Sequence, residues 1–380
     1  ITLDSEGRLR VEGADVQSYG NVLLRGKQGV EILPGEEINS RYEEHTSKKF
    51  KISGNKNGVF AGIEKNKNTT GTESIKNVGS IINSHAGTVT VTGDHIISIE
   101  SKIGAAGDIT LDGAHGVVIK DGENLSVIRE QNEKMRAGAF ATWNGKRLSA
   151  SAGFEATYGK NKNGKVLITP EKNILVTNGN IYMKSSEGNV FLQGDFGAKE
   201  NIGILAEKGK IYVKDSKSEM HTNSESVNAR IELALGINLG GIKDTLNSFK
   251  NGYKALKEIP NVGRVGSFIK DIVKGKSLLE SLEGREKTIN AMSTLFNGPS
   301  TGGVSAGAGV ALSIDSAKSV SDHLQNITTN MRAGKDIALK SKEFETYGSF
   351  IRAENDLGID AEKITVQASE DSYSVKGKSM

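Results

Sequence analysis

A short pattern recurs along this chain: apolar runs of three or four residues, separated by turns rich in Gly, Asp and Asn, at intervals near ten or twenty residues. It is found in AAGDITLDGAHGVVIKDGE at 105–123 and in AGKDIALKSKEFETYGSFIRAENDLGIDAE at 333–362. A unit this small cannot bury its apolar face alone, so the copies must stack on one another as in a solenoid. The repeat therefore predicts strands that stack in parallel, with Val, Ile and Leu in the core.

The composition agrees with many tight turns and short strands. Gly supplies 46 of 380 residues, whereas Pro supplies 4 and aromatic residues 5%. This balance argues against a helical bundle. Lys and Arg number 49 against 46 Asp and Glu, and the basic residues are spread over the turns, so we expect no nucleic-acid partner.

The absence of cysteine fits a chain that travels unfolded through a narrow pore, because a disulfide would cross-link it. No apolar stretch reaches the roughly 18–20 residues that span a bilayer. The sequence opens on ITLDSEG, without an initiator Met or a signal peptide, and we expect it to be an internal piece of a longer protein.

Alternating segments between the repeats predict β-hairpins. In 133–159, apolar and polar residues alternate on both sides of Asn144-Gly145, which is the strongest short-range hairpin signal. The same plan recurs at 50–63, where Phe50 and Ile52 face Val59 and Ile63 across a GNKNG turn. We predict that such hairpins leave the stack at intervals.

The third hairpin is interrupted at its tip by 242–297, which has helical periodicity. Ile242, Leu246, Phe249, Tyr253 and Leu256 form a continuous apolar stripe at helical spacing. Ten basic and six acidic residues give this segment a local net charge of +4. We interpret it as two or three amphipathic helices.

These patterns together predict an all-β fold: a right-handed parallel β-helix (solenoid) with extruded antiparallel β-hairpins and one α-helical insertion. The predicted division is β-helix rungs at 1–36, 87–124, 166–218 and 331–368; extruded hairpins at 37–86 and 125–165; extruded hairpin arms at 219–241 and 298–330; the helical insertion at 242–297; and the start of a further hairpin at 369–380.

The rungs also carry a family resemblance. The AG-x-D-I-x-L motif at Ala333–Leu339, the AGDITL run at Ala106–Leu111 and the tract GGVSAGAGVALS at 302–313 resemble the second haemagglutinin-repeat region of filamentous haemagglutinin-like exoproteins. That family includes adhesins and the effectors of contact-dependent growth inhibition. The resemblance covers most of the chain except 242–297.

The resemblance implies a non-catalytic β-helical module of a secreted virulence exoprotein at the bacterial cell surface, associated with the outer membrane. The implied activity is cell–cell contact, either adhesion or toxin delivery across a target-cell outer membrane in contact-dependent inhibition. The implied partners are an outer-membrane secretion barrel for the parent protein, through two-partner secretion, and the surface or outer membrane of a target cell. The alternative is a carbohydrate-active β-helix enzyme, a polysaccharide lyase or hydrolase.

That alternative needs acidic residues clustered on neighbouring rungs. Asp94, Asp108, Asp112 and Asp121 are candidates, but each lies in a turn or beside Gly, where Asp is favoured for local reasons. His85, His95 and His115 lie ten and twenty residues apart, a spacing that could align them on successive rungs as metal ligands. Because they have no carboxylate at close spacing, we interpret them instead as solvated turn residues. We expect no catalytic, cofactor-binding or metal site, and no cofactor.

The candidate contact residues lie on the interruptions of the repeat. We predict partner or membrane contacts by aromatic and apolar residues of the second hairpin and the insertion: Trp143, Phe154, Tyr158, Leu246, Phe249, Tyr253, Leu256 and Phe268. The basic insertion also suggests contact with anionic lipid. A simpler interpretation packs the hairpin faces on the β-helix or on one another as a side sheet.

Overall fold

The structure, a computed structural model, describes residues 1–144, 149–238 and 305–379, and every regular element in these ranges is a β-strand. The predicted helical insertion at 242–297 lies outside the described residues. Within the described ranges no helix is long and apolar enough to cross a bilayer. The described part of the chain is therefore all-β, as predicted.

Three sheets account for the strands. The main sheet, parallel and 12-stranded, contains β1 (Thr2–Ser5), β2 (Arg8–Glu12), β4 (Val22–Gly26), β5 (Gly29–Leu33), β9 (Val89–Ile99), β11 (Ile109–Lys120), β15 (Ile181–Ser185), β16 (Asn189–Leu192), β18 (Ile202–Lys214), β22 (Ile337–Tyr347), β24 (Leu357–Asp360) and β25 (Lys363–Gln367). The second sheet, parallel and 7-stranded, contains β3 (Asp15–Ser18), β8 (Ile81–Ser84), β10 (Lys102–Ala105), β14 (Ile174–Thr177), β17 (Asp195–Ala198), β21 (Thr329–Ala333) and β23 (Ser349–Ala353). The side sheet, antiparallel and 7-stranded, contains β6 (Gly35–Asn55), β7 (Gly58–Val78), β12 (Gly122–Asn144), β13 (Ser149–Glu171), β19 (Ser216–Asn238), β20 (Ser305–Ile327) and β26 (Ser372–Ser379).

The chain builds the two parallel sheets by returning repeatedly to the same register. Val89 pairs with Val22 on one side and with Ile109, twenty residues later, on the other. After each stretch of main sheet the chain crosses to the second sheet, where Ile103 pairs in parallel with Ile82. We call one such traverse, main sheet and then second sheet, a pass.

The hydrophobic core lies between the main and second sheets, and its side chains stack in columns. Burying each Val, Leu or Ile stabilises the fold by about 1.5–3 kcal/mol, so adjacent passes depend on one another for most of their stability. The buried columns are Val22, Val89, Ile109, Ile181, Ile202 and Ile337; Leu24, Val91, Leu111, Met183, Ile204 and Leu339; and Ile82, Ile103, Leu175, Phe196 and Met331.

The Asn and Asp residues of the repeat link the turns of successive passes. Asp108 accepts a hydrogen bond from the backbone N–H of Asn180, and the side-chain oxygen of Asn180 accepts one from the N–H of Asn201. The series continues, as Asn201 accepts from the N–H of Asp336 and Asp336 from the N–H of Asp356. The polar residue of each turn therefore satisfies a backbone donor of the next pass.

Direct turns and hairpins alternate where the chain leaves the main sheet. The hairpins begin after β5, β11 and β18, and β26 follows β25. The intervening passes cross directly to the second sheet, and each direct turn contains one residue with positive φ: Gly13, Glu100, Gly194 or Gly348. In the described chain, a side-sheet excursion therefore leaves every second pass.

The hairpins differ from the predicted ranges mainly at their bases. Strands β6 and β7 pair from Gly35 with Val78 to Asn55 with Gly58, so this hairpin begins before the predicted 37–86 and ends earlier. The remainder of that range includes β8, which belongs to the second sheet. Residues 166–171, which we assigned to rungs, belong to β13 of the side sheet.

A buried polar cluster joins the hairpin bases to the main and second sheets, which together we call the stack. The Asp121 carboxylate is 2% exposed and accepts hydrogen bonds of 2.8 Å from the backbone N–H of Asn173 and from the Ser216 hydroxyl. Burial raises the pKa of Asp121, and these two hydrogen bonds oppose that effect. Asp121 thereby connects the second and third hairpins to the same point of the stack.

Replacing Asp121 is expected to destabilise this junction. Asp121→Ala leaves two buried donors without their acceptor, so we expect a loss of about 2 kcal/mol in chemical denaturation. The matched control is Asp112→Ala, an exposed carboxylate of β11, the strand that Asp121 directly follows, expected to change stability by less than about 0.5 kcal/mol. Equal effects of the two variants would contradict the assignment.

Glu100 is the positive-φ residue of one direct turn, whereas the other three direct turns have glycine at that position. Its φ is +47°, its side chain is 3% exposed, and its Oε2 has no hydrogen-bond partner. A Cβ on Gly122 would lie 1.9 Å from Oε2, so the carboxyl fills the space that this glycine leaves. Burial raises the pKa of Glu100 to about 7; the nearby Asn77 amide and the charges of Lys102 and Lys76 oppose this, and Glu171 adds to it.

The raised pKa predicts a pH-dependent stability. The folded protein favours the neutral carboxyl, so the stability contributed by Glu100 is present at low pH and falls as pH rises from about 4.5 to about 7. We expect Glu100→Gln to remove this pH-dependent part of the stability, so that the thermal unfolding midpoints of the variant and of the unsubstituted chain diverge with increasing pH.

Glu123→Gln is the control for that experiment. Glu123 is an exposed carboxylate at the base of the second hairpin, next to the Gly122 that Glu100 faces. Its unfolding midpoint should follow the parent across the whole pH range. Parallel curves for Glu100→Gln and the parent would refute the assignment.

Candidate interaction surface

The side sheet consists of hairpins joined edge to edge. Strand β7 of the first hairpin pairs with β12 of the second over Leu125 to Thr142, and β13 pairs with β19 of the third. Directly opposed residues in antiparallel strands point to the same face, so the register sorts the side chains into two faces. We call them the polar face and the apolar face.

Ion pairs dominate the polar face. Glu64 is buried and lies 3.5 Å from the ammonium groups of both Lys49 and Lys51. A hydrogen bond from Asn66, followed by the charges of nearby lysines, lowers the pKa of Glu64 against the effect of burial. Further across the sheet, Arg230 contacts the carboxylates of Glu155 and Glu232 at 3.0 and 2.7 Å. This face therefore holds paired charges.

A glycine pair fixes the contact between the first and second hairpins. Gly62 and Gly138 are directly opposed, and a Cβ on either would lie 2.6 Å from the Cα of the other. Phe60 covers this gap and is 6% exposed, while the Arg136 guanidinium lies 3.6 Å from the centre of its ring. The aromatic ring thus takes the place of the missing side chains.

The apolar face extends across the part of the sheet far from the stack. One row of opposed residues runs from Phe50 through Ile63, Ala137 and Ala156 to Ile231. Exposure falls along this row from 68% at Phe50 to 37% at Ile63 and 2% at Ala156. In this row the exposed apolar surface therefore lies on the first hairpin, whose next residue on this face, Ile52, is 73% exposed.

Basic residues border the apolar face on the side nearer the stack. Lys48 is opposed to Lys65, and the next row on this face contains Lys67, which is opposed to Thr46 and lies 2.9 Å from the Glu44 carboxylate. That row continues to Glu133 and Lys160, whose charged groups lie 3.0 Å apart. An apolar region bordered by lysines is suited to contact with a membrane surface, which has an apolar interior and anionic headgroups.

The predicted contact residues occupy different environments. Trp143 lies near the end of β12, paired with Ala150. Phe154 is half-buried, whereas Tyr158 is 3% exposed and packs with Met135 and buried alanines in a small core cluster. Burial, the charge of Glu133 and a hydrogen bond with it raise the pKa of Tyr158 to about 12. The other predicted residues, Leu246, Phe249, Tyr253, Leu256 and Phe268, lie outside the described residues.

Four exposed apolar residues that sequence reasoning did not propose as contacts are on β6. Ile38, Tyr42, Phe50 and Ile52 are each 65% exposed or more. Alternation in the sequence marks Phe50 and Ile52 as one side of a hairpin. It does not show that β6 would be the edge strand of a wider sheet, and this position is the cause of their exposure.

The four candidate aspartates have separate partners. Asp108 binds the turn of the next pass, Asp112 lies opposite Thr92 and Lys184, and Asp121 is buried beneath the hairpins. Asp94 lies at a corner of the main sheet beside His95 and His115. Each of the four carboxylates thus has different neighbours, and Asp121 is buried, whereas the carbohydrate-active alternative requires acidic side chains that share one groove.

The glycine pair allows a test of how the hairpins join. Gly62→Ala would bring Cβ to 2.3 Å from the Ala137 carbonyl oxygen, so we expect a loss of about 1–3 kcal/mol and faster hydrogen exchange in β7 and β12. Gly71→Ala in the same strand has only an ordinary contact with Tyr42 and should leave both measurements unchanged. Equal exchange rates in the two variants would contradict this packing.

In comparisons with protein-family models, curated proteins and solved structures, nothing matches this chain.

Proposed function

We propose that the two parallel sheets form a right-handed parallel β-helix, a solenoid that acts as a rigid support for the side sheet. The support for this is the regular return of the chain to one register, as at Ile181 and Ile202, and the columns of buried side chains. The right-handed sense follows from the strong preference of parallel crossover connections.

The function we propose for this module is non-catalytic contact with another cell. The observation that carries it is the apolar face of the side sheet, where Phe50 and Ile52 are largely exposed and lysines border the apolar region. Exposed apolar patches of this kind mark protein or membrane interaction sites. We propose the lipid surface of a target cell, with its anionic headgroups, as the contacted surface.

The resemblance of the AG-x-D rungs to filamentous haemagglutinin-like exoproteins sets the cellular context that we propose. The parent protein would be secreted by two-partner secretion through an outer-membrane barrel and displayed at the bacterial surface. It would serve there as an adhesin, or deliver a toxin in contact-dependent inhibition. The Asn and Asp links between the turns of successive passes are consistent with this repeat.

Vesicle binding tests the proposed contact. The full chain is expected to co-sediment with vesicles containing phosphatidylglycerol and to bind neutral phosphatidylcholine vesicles more weakly, because the lysines contribute only at an anionic surface. Phe50→Ser combined with Ile52→Ser should weaken binding at least about tenfold, since two apolar side chains lose their burial in lipid.

The matched control is Ile364→Ser combined with Val366→Ser, which removes two similarly exposed apolar side chains, 50% and 70% exposed, from β25 of the main sheet. Deleting 242–297 separates the contribution of the insertion from that of the side sheet. If the unsubstituted chain binds neither vesicles nor cells, or if the Phe50 and Ile52 double variant binds as tightly as the control, the proposal is wrong.

A further inference from the structure

Three side chains with metal-binding groups converge at one corner of the main sheet. One ring nitrogen each of His95 and His115 and one carboxylate oxygen of Asp94 lie within 4.8 Å of one another. The two imidazole rings meet edge to face with their centroids 5.8 Å apart. We propose that His95, His115 and Asp94 bind a divalent transition-metal ion of the Zn²⁺ class.

The repeat brings the two histidines together because they are twenty residues apart, which is one pass. The main-sheet register opposes His95 to Gly116, and it shifts between Gly113 and Gly116. Two residues of β11, Ala114 and His115, therefore stand opposite the single residue Asp94 of β9. Gly116 has a φ of +155°, which glycine adopts readily, and a bulge of this kind redirects the neighbouring side chain.

The Asp94 carboxylate already bridges the two rings. Its Oδ2 lies 3.0 Å from Nδ1 of His95, and its Oδ1 contacts Nδ1 of His115. Ligands of a tetrahedral Zn²⁺ ion lie about 2.0–2.2 Å from the metal, and hence about 3.4 Å from one another. The observed separations therefore require only small side-chain rotations around an ion.

The site is open on its outer side. The side chains of His95 and His115 are 55% and 56% exposed, and that of Asp94 is 35% exposed. Three protein ligands leave a fourth tetrahedral position for water or for a group of another molecule. Two imidazoles favour Zn²⁺, Ni²⁺ or Cu²⁺ over Ca²⁺ and Mg²⁺, which take oxygen ligands.

The neighbouring passes show how this corner differs from the rest of the stack. Lys27 pairs with Glu6 on the pass before it, and Lys208 pairs with Glu187 at 2.7 Å. Between these two pairs, at the equivalent corner of the passes that begin with β9 and β11, His115 takes the place of the lysine, and His95 lies beside it. A lysine in that place would provide a charge partner only, whereas two imidazoles provide metal ligands.

The remaining histidine of the predicted series serves as an internal control. His85 is ten residues before His95, which is half a pass, and it therefore lies beside the second sheet. There it contacts Asn83 at 3.3 Å and Gln17 at 3.1 Å, away from the corner. Substituting His85 removes a histidine from the protein without touching the proposed site.

The test is titration of the tag-free full chain with ZnCl₂ by isothermal calorimetry, together with the visible absorption of added Co²⁺. The expected result is one Zn²⁺ bound per chain and a Zn²⁺-dependent rise in the thermal unfolding midpoint. His95→Ala and His115→Ala should weaken binding at least about tenfold and remove the rise, while His85→Ala should retain both.

Asp94→Asn distinguishes metal binding from a hydrogen-bonded carboxylate, because the amide keeps the shape of the side chain but is a poor metal ligand. We expect it to weaken Zn²⁺ binding with far-UV circular dichroism unchanged. CaCl₂ should give no saturable heat. Zn²⁺ binding that is equal in the parent, His95→Ala and His115→Ala, or no binding by the parent chain, would overturn the proposal.

Discussion

Everything else in this structure depends on the parallel register that the chain recovers after each excursion. Ile109 stacks on Ile181, and Ile202 stacks on Ile337, although an entire hairpin separates each pair along the chain. This is possible because the first and last residues of each hairpin are neighbours. In the second hairpin, for example, Gly122 pairs with Glu171. An excursion of any length then leaves the core columns aligned, and the stack tolerates large insertions at these points.

The same spacing rule explains why the hairpins form one sheet. Neighbouring strands lie about 4.7–4.9 Å apart in parallel and antiparallel sheets alike. A hairpin contributes two strands to the side sheet, and it leaves the stack once in every two passes, so both sheets advance by equal steps. Strand β7 of one hairpin therefore meets β12 of the next at hydrogen-bonding distance, and β13 meets β19.

The sequence predicted the features that a local pattern encodes, namely the strands and the face on which each residue lies. It did not predict features that depend on the distance between successive passes. Apolar alternation predicted the core columns and the arms at Phe50 and Ile52, because strand period alone decides which face these residues occupy. A side sheet was one of the two interpretations that the alternating arms allowed, and the lateral pairing of the hairpins confirms it. No short motif marks which hairpin edges meet, because that follows from the geometry of the stack. Glu100 was missed because its three counterparts are glycines, and nothing in its neighbourhood signals a positive φ. The spacing of His95 and His115 was visible, but Asp94, adjacent to His95, was not recognised as their carboxylate.

Strand β6 shows how an exposed edge serves two requirements at once. Lysines on an edge strand discourage pairing with other strands, and Lys49 and Lys51 hold their charges on the polar face beside Glu64. Phe50 and Ile52 alternate with them and therefore point to the opposite face, where they stay exposed. One strand thus opposes edge-to-edge aggregation through its charges and presents an apolar surface through its other face. The contact that we propose with another surface therefore depends on the hairpin that interrupts the stack, where apolar side chains stay exposed, and not on the core columns, where they are buried.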